Sequence, residues 1–117
     1  MLVEPLNITD IQIALRFAKV MNKKVVVRSG GHQYSGTSSG GNDTIVISLN
    51  SFNDLRNNQG IIEIGPCNAL KDVAKVLRGW GYSVPHGCCP LVNIGGHGQT
   101  GGYGAFARSF GILIDYI

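Results

Sequence analysis

Glycine is the residue that most limits what this chain can become. Seventeen of 117 residues are glycine, and most fall in two blocks, 30–41 and 79–111. That is about twice the usual share of ~7%, concentrated in particular loops. The first block follows an apolar run in "VVVRSGGHQYSGTSSGG", residues 25–41. A short buried strand ends at Arg28, and a loop begins. Lacking a Cβ, glycine lets the backbone pass close to a ligand, and successive amides can cradle an anion. Arg28 adds a cation, while Ser29, Ser35, Thr37, Ser38 and Ser39 add hydroxyls. The second block, "GGHGQTGGYG" at 95–104, repeats the chemistry. Two such loops suit a long diphosphate ligand better than a single phosphate. Neither contains the GxxxxGK[ST] phosphate loop, nor GxGxxG with an acid ~20 residues later. Read as pattern alone, the glycines also suit plain tight turns, and His32 suits a loop histidine bonded to backbone.

The bulk properties remove several classes of function. The formal charge is +3, and Lys19, Lys23 and Lys24 read as a solvated helix end. No basic run is interleaved with aromatics, so nucleic acid is not an expected partner. No apolar stretch approaches the ~20 residues of a membrane span, and "MLVEPLNITD" has no signal-peptide pattern. No membrane partner is expected. Cys67, Cys88 and Cys89 do not form a disulfide framework. A metal-binding module built on His86, Cys88, Cys89 and His97 is a further reading, but H-x-C-C-x7-H is not a usual zinc spacing. No metal is expected.

Apolar periodicity predicts a helix over 10–21, capped by Thr9 or Asp10, with Ile11, Ala14, Leu15 and Ala18 on one face. Strands are expected at "KKVVVRSG", at 43–49 and at 60–66. Residues 53–60 read as a polar turn. Asn68 is expected to cap a helix over 69–79, with Leu70, Val73, Ala74 and Leu77 facing inward. The segment 88–104 shows only glycine, 105–108 reads as a helical turn, and "GILIDYI" reads as a strand. The order of elements gives an α+β fold. Length allows one domain at most, 1–117, and the chain reads as the N-terminal fragment of something longer.

At "RSGGHQYSG" and "PHGCCPLVNIGGHGQTGGYGAFARSFGILIDYI" the chain resembles the FAD-binding PCMH-type domain of the vanillyl-alcohol-oxidase type, specifically the berberine-bridge-enzyme-like oxidoreductases. Several motifs in matching order carry the likeness over nearly all of the chain. The resemblance implies FAD as cofactor. It implies that His32 is joined through its ring to the 8α-methyl of the flavin, which is reasonable for a neutral imidazole with an unperturbed pKa near ~6.5. It implies a second link, from Cys89 to flavin C6, since Cys89 stands eight residues before His97. The thiolate is the attacking species. It also implies that Arg28, Ser29, Gly30, Gly31, His32, Gln33 and Ser38 wrap the pyrophosphate. Val92, Gly95, Gly96, His97, Gly101, Gly102 and Gly104 would line the other side, with Asp115 near the adenosine end. Cys88 and Asn93 depart from the commoner pattern.

By the same resemblance, the activity is oxidation of an alcohol or carbohydrate, with hydride passing to the flavin and oxygen as acceptor. The cofactor supplies the redox chemistry, and the protein orients it. The substrate domain and catalytic base are expected beyond residue 117, so no catalytic residue is assigned within the chain. The alternative is a non-catalytic or degenerate FAD-binding fragment.

Overall fold

"TIVIS" is buried at every position, as only a strand covered on both faces can be. A computed structural model describes residues 1–117 and divides them into two compact units, 1–52 and 53–117.

In the first unit three strands, β1 (Leu2–Val3), β2 (Lys24–Arg28) and β3 (Thr44–Ser48), form a parallel sheet in the order β1-β3-β2. The register pairs Leu2 with Val46, and Lys24 through Arg28 with Thr44 through Ser48. Helix α1 (Ile8–Val20) lies between β1 and β2 in sequence. It begins earlier than the periodicity predicts, because Asn7 and Asp10 form a reciprocal capping box. The Asn7 side chain accepts from the Asp10 amide at 3.0 Å, and the Asp10 carboxylate accepts from the Asn7 amide at 3.3 Å. Thr9 and Asp10, expected as caps, therefore lie inside the first turn. Ala14 and Ala18 are buried against Ile45 and Ile47. Their small side chains set the helix close to the sheet, and Leu15 points outward at 47% exposure.

The second unit opens with an antiparallel hairpin, β4 (Leu55–Asn58) and β5 (Ile61–Ile64). The predicted polar turn over 53–60 is thus half strand. The turn itself is Gln59–Gly60, both with positive φ, and the Asn57 side chain accepts from the Gly60 amide at 3.0 Å. Two-residue turns of this kind match the twist of the flanking strands. Helix α2 (Leu70–Gly79) buries Leu70, Val73 and Leu77 on one face. Ala69, not Asn68, occupies its cap position. Asn68 instead donates its side-chain amide to the carbonyls of Gly65 and Asp54.

Three short helical pieces follow: α3 (Ile94–Gln99), α4 (Ala107–Phe110) and a 3-10 turn (Leu113–Tyr116). The segment read as patternless contains α3. The strand expected at "GILIDYI" is the 3-10 turn, since Leu113 turns inward to join Ile94, Leu70, Val73 and Leu77 in one cluster. Val84, Val92, Leu55, Ile62 and Ile64 pack around it.

Candidate functional site

The first glycine loop leaves the carboxyl end of β2 and returns to the start of β3, which runs parallel to it. The carboxyl ends of parallel strands are where open sheets of this kind hold ligands. Arg28 holds the loop closed: its Nε donates to the Ser38 carbonyl at 3.0 Å. Two turns follow one another, from the Gly36 amide to the Gln33 carbonyl and from the Ser39 amide to the Gly36 carbonyl. Gly30 and Gly31 take no part in them, and Gly31 adopts φ +71°, which an L side chain rarely does. Ser29 is half-buried, while His32 and Gln33 are exposed on the loop. The Ser38 hydroxyl is buried and has no hydrogen-bond partner. Leaving such a group unpaired costs about 1–3 kcal/mol.

In the second unit the segment 90–95 is stitched to the start of α2. The amides of Leu70 and Lys71 donate to the carbonyls of Val92 and Pro90, and those of Ile94 and Gly95 donate to the carbonyls of Asn68 and Pro66. These bonds hold Val92, Gly95 and Gly96 at the N-terminal end of α3. His97 projects from α3 so that its Nε2 accepts the Gly87 amide at 2.9 Å. Burial pushes the His97 pKa below its ordinary value, and neighbouring His86 adds to the shift. Gly102 packs beside the His97 ring, and Gly104 packs on the His86 carbonyl. A Cβ at Gly104 would overlap that carbonyl oxygen, which is backbone and has little freedom to move. Gly104→Ala is therefore expected to lower stability by about 1–3 kcal/mol, read from the midpoint of urea unfolding.

Cys88 and Cys89 are both exposed, and no cysteine is in a disulfide. No three His, Cys, Asp or Glu residues converge as a metal site. No helix is long and apolar enough to cross a membrane. Asp115 lies on the 3-10 turn instead of a strand, and its carboxylate accepts the Ile112 amide at 2.8 Å. The structure brings Arg28, Gly31 and Ser38 together within the first unit. It gathers His97, Gly102 and Gly104 around residues 86–87 within the second. Asp115 is engaged locally instead. Sequence reasoning missed the bond from Gly87 to His97. The only signal for it was the glycine beside His86.

The FAD binding domain family matches residues 1–117, the whole chain. The chain belongs to that family. A carbohydrate oxidase of Microdochium nivale is 35% identical over 112 residues, covering 92% of this chain and 23% of that protein. Berberine bridge enzyme-like 12 of Arabidopsis thaliana is 34% identical, covering 93% and 22%. Among solved structures, the xylooligosaccharide oxidase from Myceliophthora thermophila in complex with xylobiose superposes with a TM-score of 0.89 at 31% identity, covering 97% of this chain and 25% of that one. The chain thus spans about a quarter of the length of the relatives it matches. Its α+β fold is that of the FAD-binding PCMH-type domain in berberine-bridge-enzyme-like oxidoreductases.

The residues present fit a dinucleotide cofactor. The buried, unpartnered Ser38 hydroxyl is a donor that a phosphate oxygen would satisfy. The adjacent Arg28 spends its Nε on the loop and leaves its terminal nitrogens for an anion.

Proposed function

We propose that this chain holds FAD covalently for an oxidase acting on an alcohol or carbohydrate. The observation that carries the reading is the R-S-G-G-H loop, closed by Arg28 on Ser38 with His32 exposed, in a chain the FAD binding domain family matches end to end. Arg28, Ser29, Gly30, Gly31, Gln33 and Ser38 would hold the pyrophosphate by charge, backbone amides and hydroxyls. Val92, Gly95, Gly96, His97, Gly101, Gly102 and Gly104 would present close backbone to the cofactor, with Asp115 toward the adenosine end. His32 would anchor it through a ring nitrogen and Cys89 through its sulfur. When bound, FAD would supply the two-electron redox chemistry that couples oxidation of the substrate to reduction of oxygen, with two protons, to hydrogen peroxide. The names of the carbohydrate oxidase and of the xylooligosaccharide oxidase support a sugar substrate. In this reading residues 1–117 are one flavin-binding domain, and substrate contacts and the catalytic base come from a separate domain.

Acid precipitation of the purified protein, with an absorbance scan and intact mass of the pellet, tests this. The expected result is a yellow pellet whose mass is raised by one FAD, and peroxide release when oligosaccharides are added to the native protein carrying this chain together with its substrate domain; the chain alone is expected to release none. Flavin left in the supernatant would sink the covalent reading. Bound flavin without peroxide from any sugar would return the non-catalytic alternative.

A further inference from the structure

We infer that His97 is a positioning residue for the cysteine segment: its ring pins the Gly87 amide and thereby sets where Cys89, two residues on, presents its sulfur. The inference rests on the reading of Cys89 as a flavin anchor. The geometry is a clasp between α3 and an otherwise irregular stretch. His97 Nε2 lies 2.9 Å from the Gly87 nitrogen, and a backbone amide can only donate. Nε2 therefore carries the lone pair, and the ring proton sits on Nδ1.

The other groups nearby reinforce the placement. His86 Nδ1 meets the Gly87 carbonyl at 2.8 Å, so both polar atoms of Gly87 are taken. A Cβ on Gly87 would come within 2.8 Å of His97 Cε1 and 3.4 Å of the Tyr103 carbonyl. One on Gly102 would lie 3.3 Å from His97 Cδ2. Residues 86–87 thus sit in a slot with the His97 ring as one wall. The tie leaves Cys88 and Cys89 exposed just beyond it.

The clasp has a defined response to acid. Protonating Nε2 would set two donors against each other. Burial, then His86, lowers the pKa of His97 below its ordinary value of 6.5. A histidine with a depressed folded-state pKa contributes stability that is present above its unfolded pKa and lost as pH falls through the folded one. The clasp therefore opens on the acid side of pH 6.5. The titratable groups around it are His86, Cys88 and Cys89 on the clasped segment, with Asp115 and Tyr116 on the 3-10 turn packed against α3. Asp115 is held by the Ile112 amide, and the Tyr116 hydroxyl donates to the Phe110 carbonyl.

Three variants separate this role from direct contact with the cofactor. Gln places an acceptor oxygen at the reach of Nε2 and does not titrate. Asn places its polar group at the reach of Nδ1 instead. Ala removes both. Hydrogen exchange of the Gly87 amide in flavin-free protein at neutral pH is the first readout. It is expected to be about tenfold faster in His97→Ala and His97→Asn and unchanged in His97→Gln. The native protein should lose Gly87 protection toward acid, and His97→Gln should not. Full protection in His97→Ala would overturn the clasp.

The second readout is intact mass after denaturation in a His32→Ala background, where Cys89 is the remaining proposed anchor. The FAD adduct is expected when His97 is kept and in His97→Gln, and is expected to be lost in His97→Ala and His97→Asn. Rescue by Asn and not by Gln would assign His97 to the cofactor directly and overturn the positioning role. No adduct even with His97 present would reject Cys89 as an anchor, and the positioning role with it, while the exchange result still judges the clasp.

Discussion

Replacing His32 and Cys89 together with alanine is expected to move all flavin from the acid pellet to the supernatant, while either single replacement leaves about one FAD bound per chain. A covalent bond survives denaturation and a noncovalent one does not, so the two classes separate completely. The noncovalent contacts are not removed in the double variant. Arg28 still closes the loop on Ser38, and the Ser38 hydroxyl still needs an acceptor. The double variant is therefore expected to bind FAD reversibly, with yellow native protein and a colourless pellet. His32 and Cys89 are both exposed, so truncating them leaves no cavity in either core. Unfolding midpoints of the flavin-free proteins should agree within ~0.5 kcal/mol. Acid-stable flavin in the double variant would mean that another residue holds it.

The largest stability effect is expected at Leu77. It is 2% exposed and shares one cluster with Leu70, Val73, Ile94 and Leu113. Leu77→Ala is expected to cost about 2–5 kcal/mol, from lost transfer energy and the cavity left behind. Leu15, at 47% exposure on α1, is the control, and Leu15→Ala should change stability by no more than ~0.5 kcal/mol. The consequence reaches the site, because the first turn of α2 holds residues 90 and 92 by backbone hydrogen bonds. Loosening α2 should therefore expose the amides of Leu70 and Lys71 to exchange before those of β3 in the other unit. Urea unfolding with amide exchange checks both expectations.

Much of the fold was legible where hydrophobic period and chain punctuation agreed. The run "VVV" before Arg28, the run "IVI" and the spacing of Leu70, Val73 and Leu77 each carry their own signal. The likeness of the two glycine-rich motifs to FAD-binding domains was legible for the same reason, as chemistry written in consecutive residues. The misses share a different cause. β4 reads "LRNN", which has no strand propensity; pairing with β5 makes it a strand. α3 reads "IGGHGQ", and three glycines each cost a helix about 1 kcal/mol. It forms because Ile94 and Gly95 donate to Asn68 and Pro66, a close approach to Pro66 that leaves no room for a Cβ at residue 95. "GILIDYI" has strand composition but no strand partner, and Leu113 is drawn into the core as a 3-10 turn.

The α+β class follows from the sequence by itself, because it is a property of local order, and the resemblance of its glycine motifs to a known family supplied the flavin-binding reading and the candidate anchors. Only the tertiary structure decided that Arg28 closes its own loop, that the Ser38 hydroxyl is buried without a partner, and that His97 spends Nε2 on Gly87. The Arg28 and His97 bonds each depend on groups ten residues apart meeting in space. Hydrogen bonding acts over about 3 Å. No periodicity along the chain encodes which donor will find which acceptor at that range.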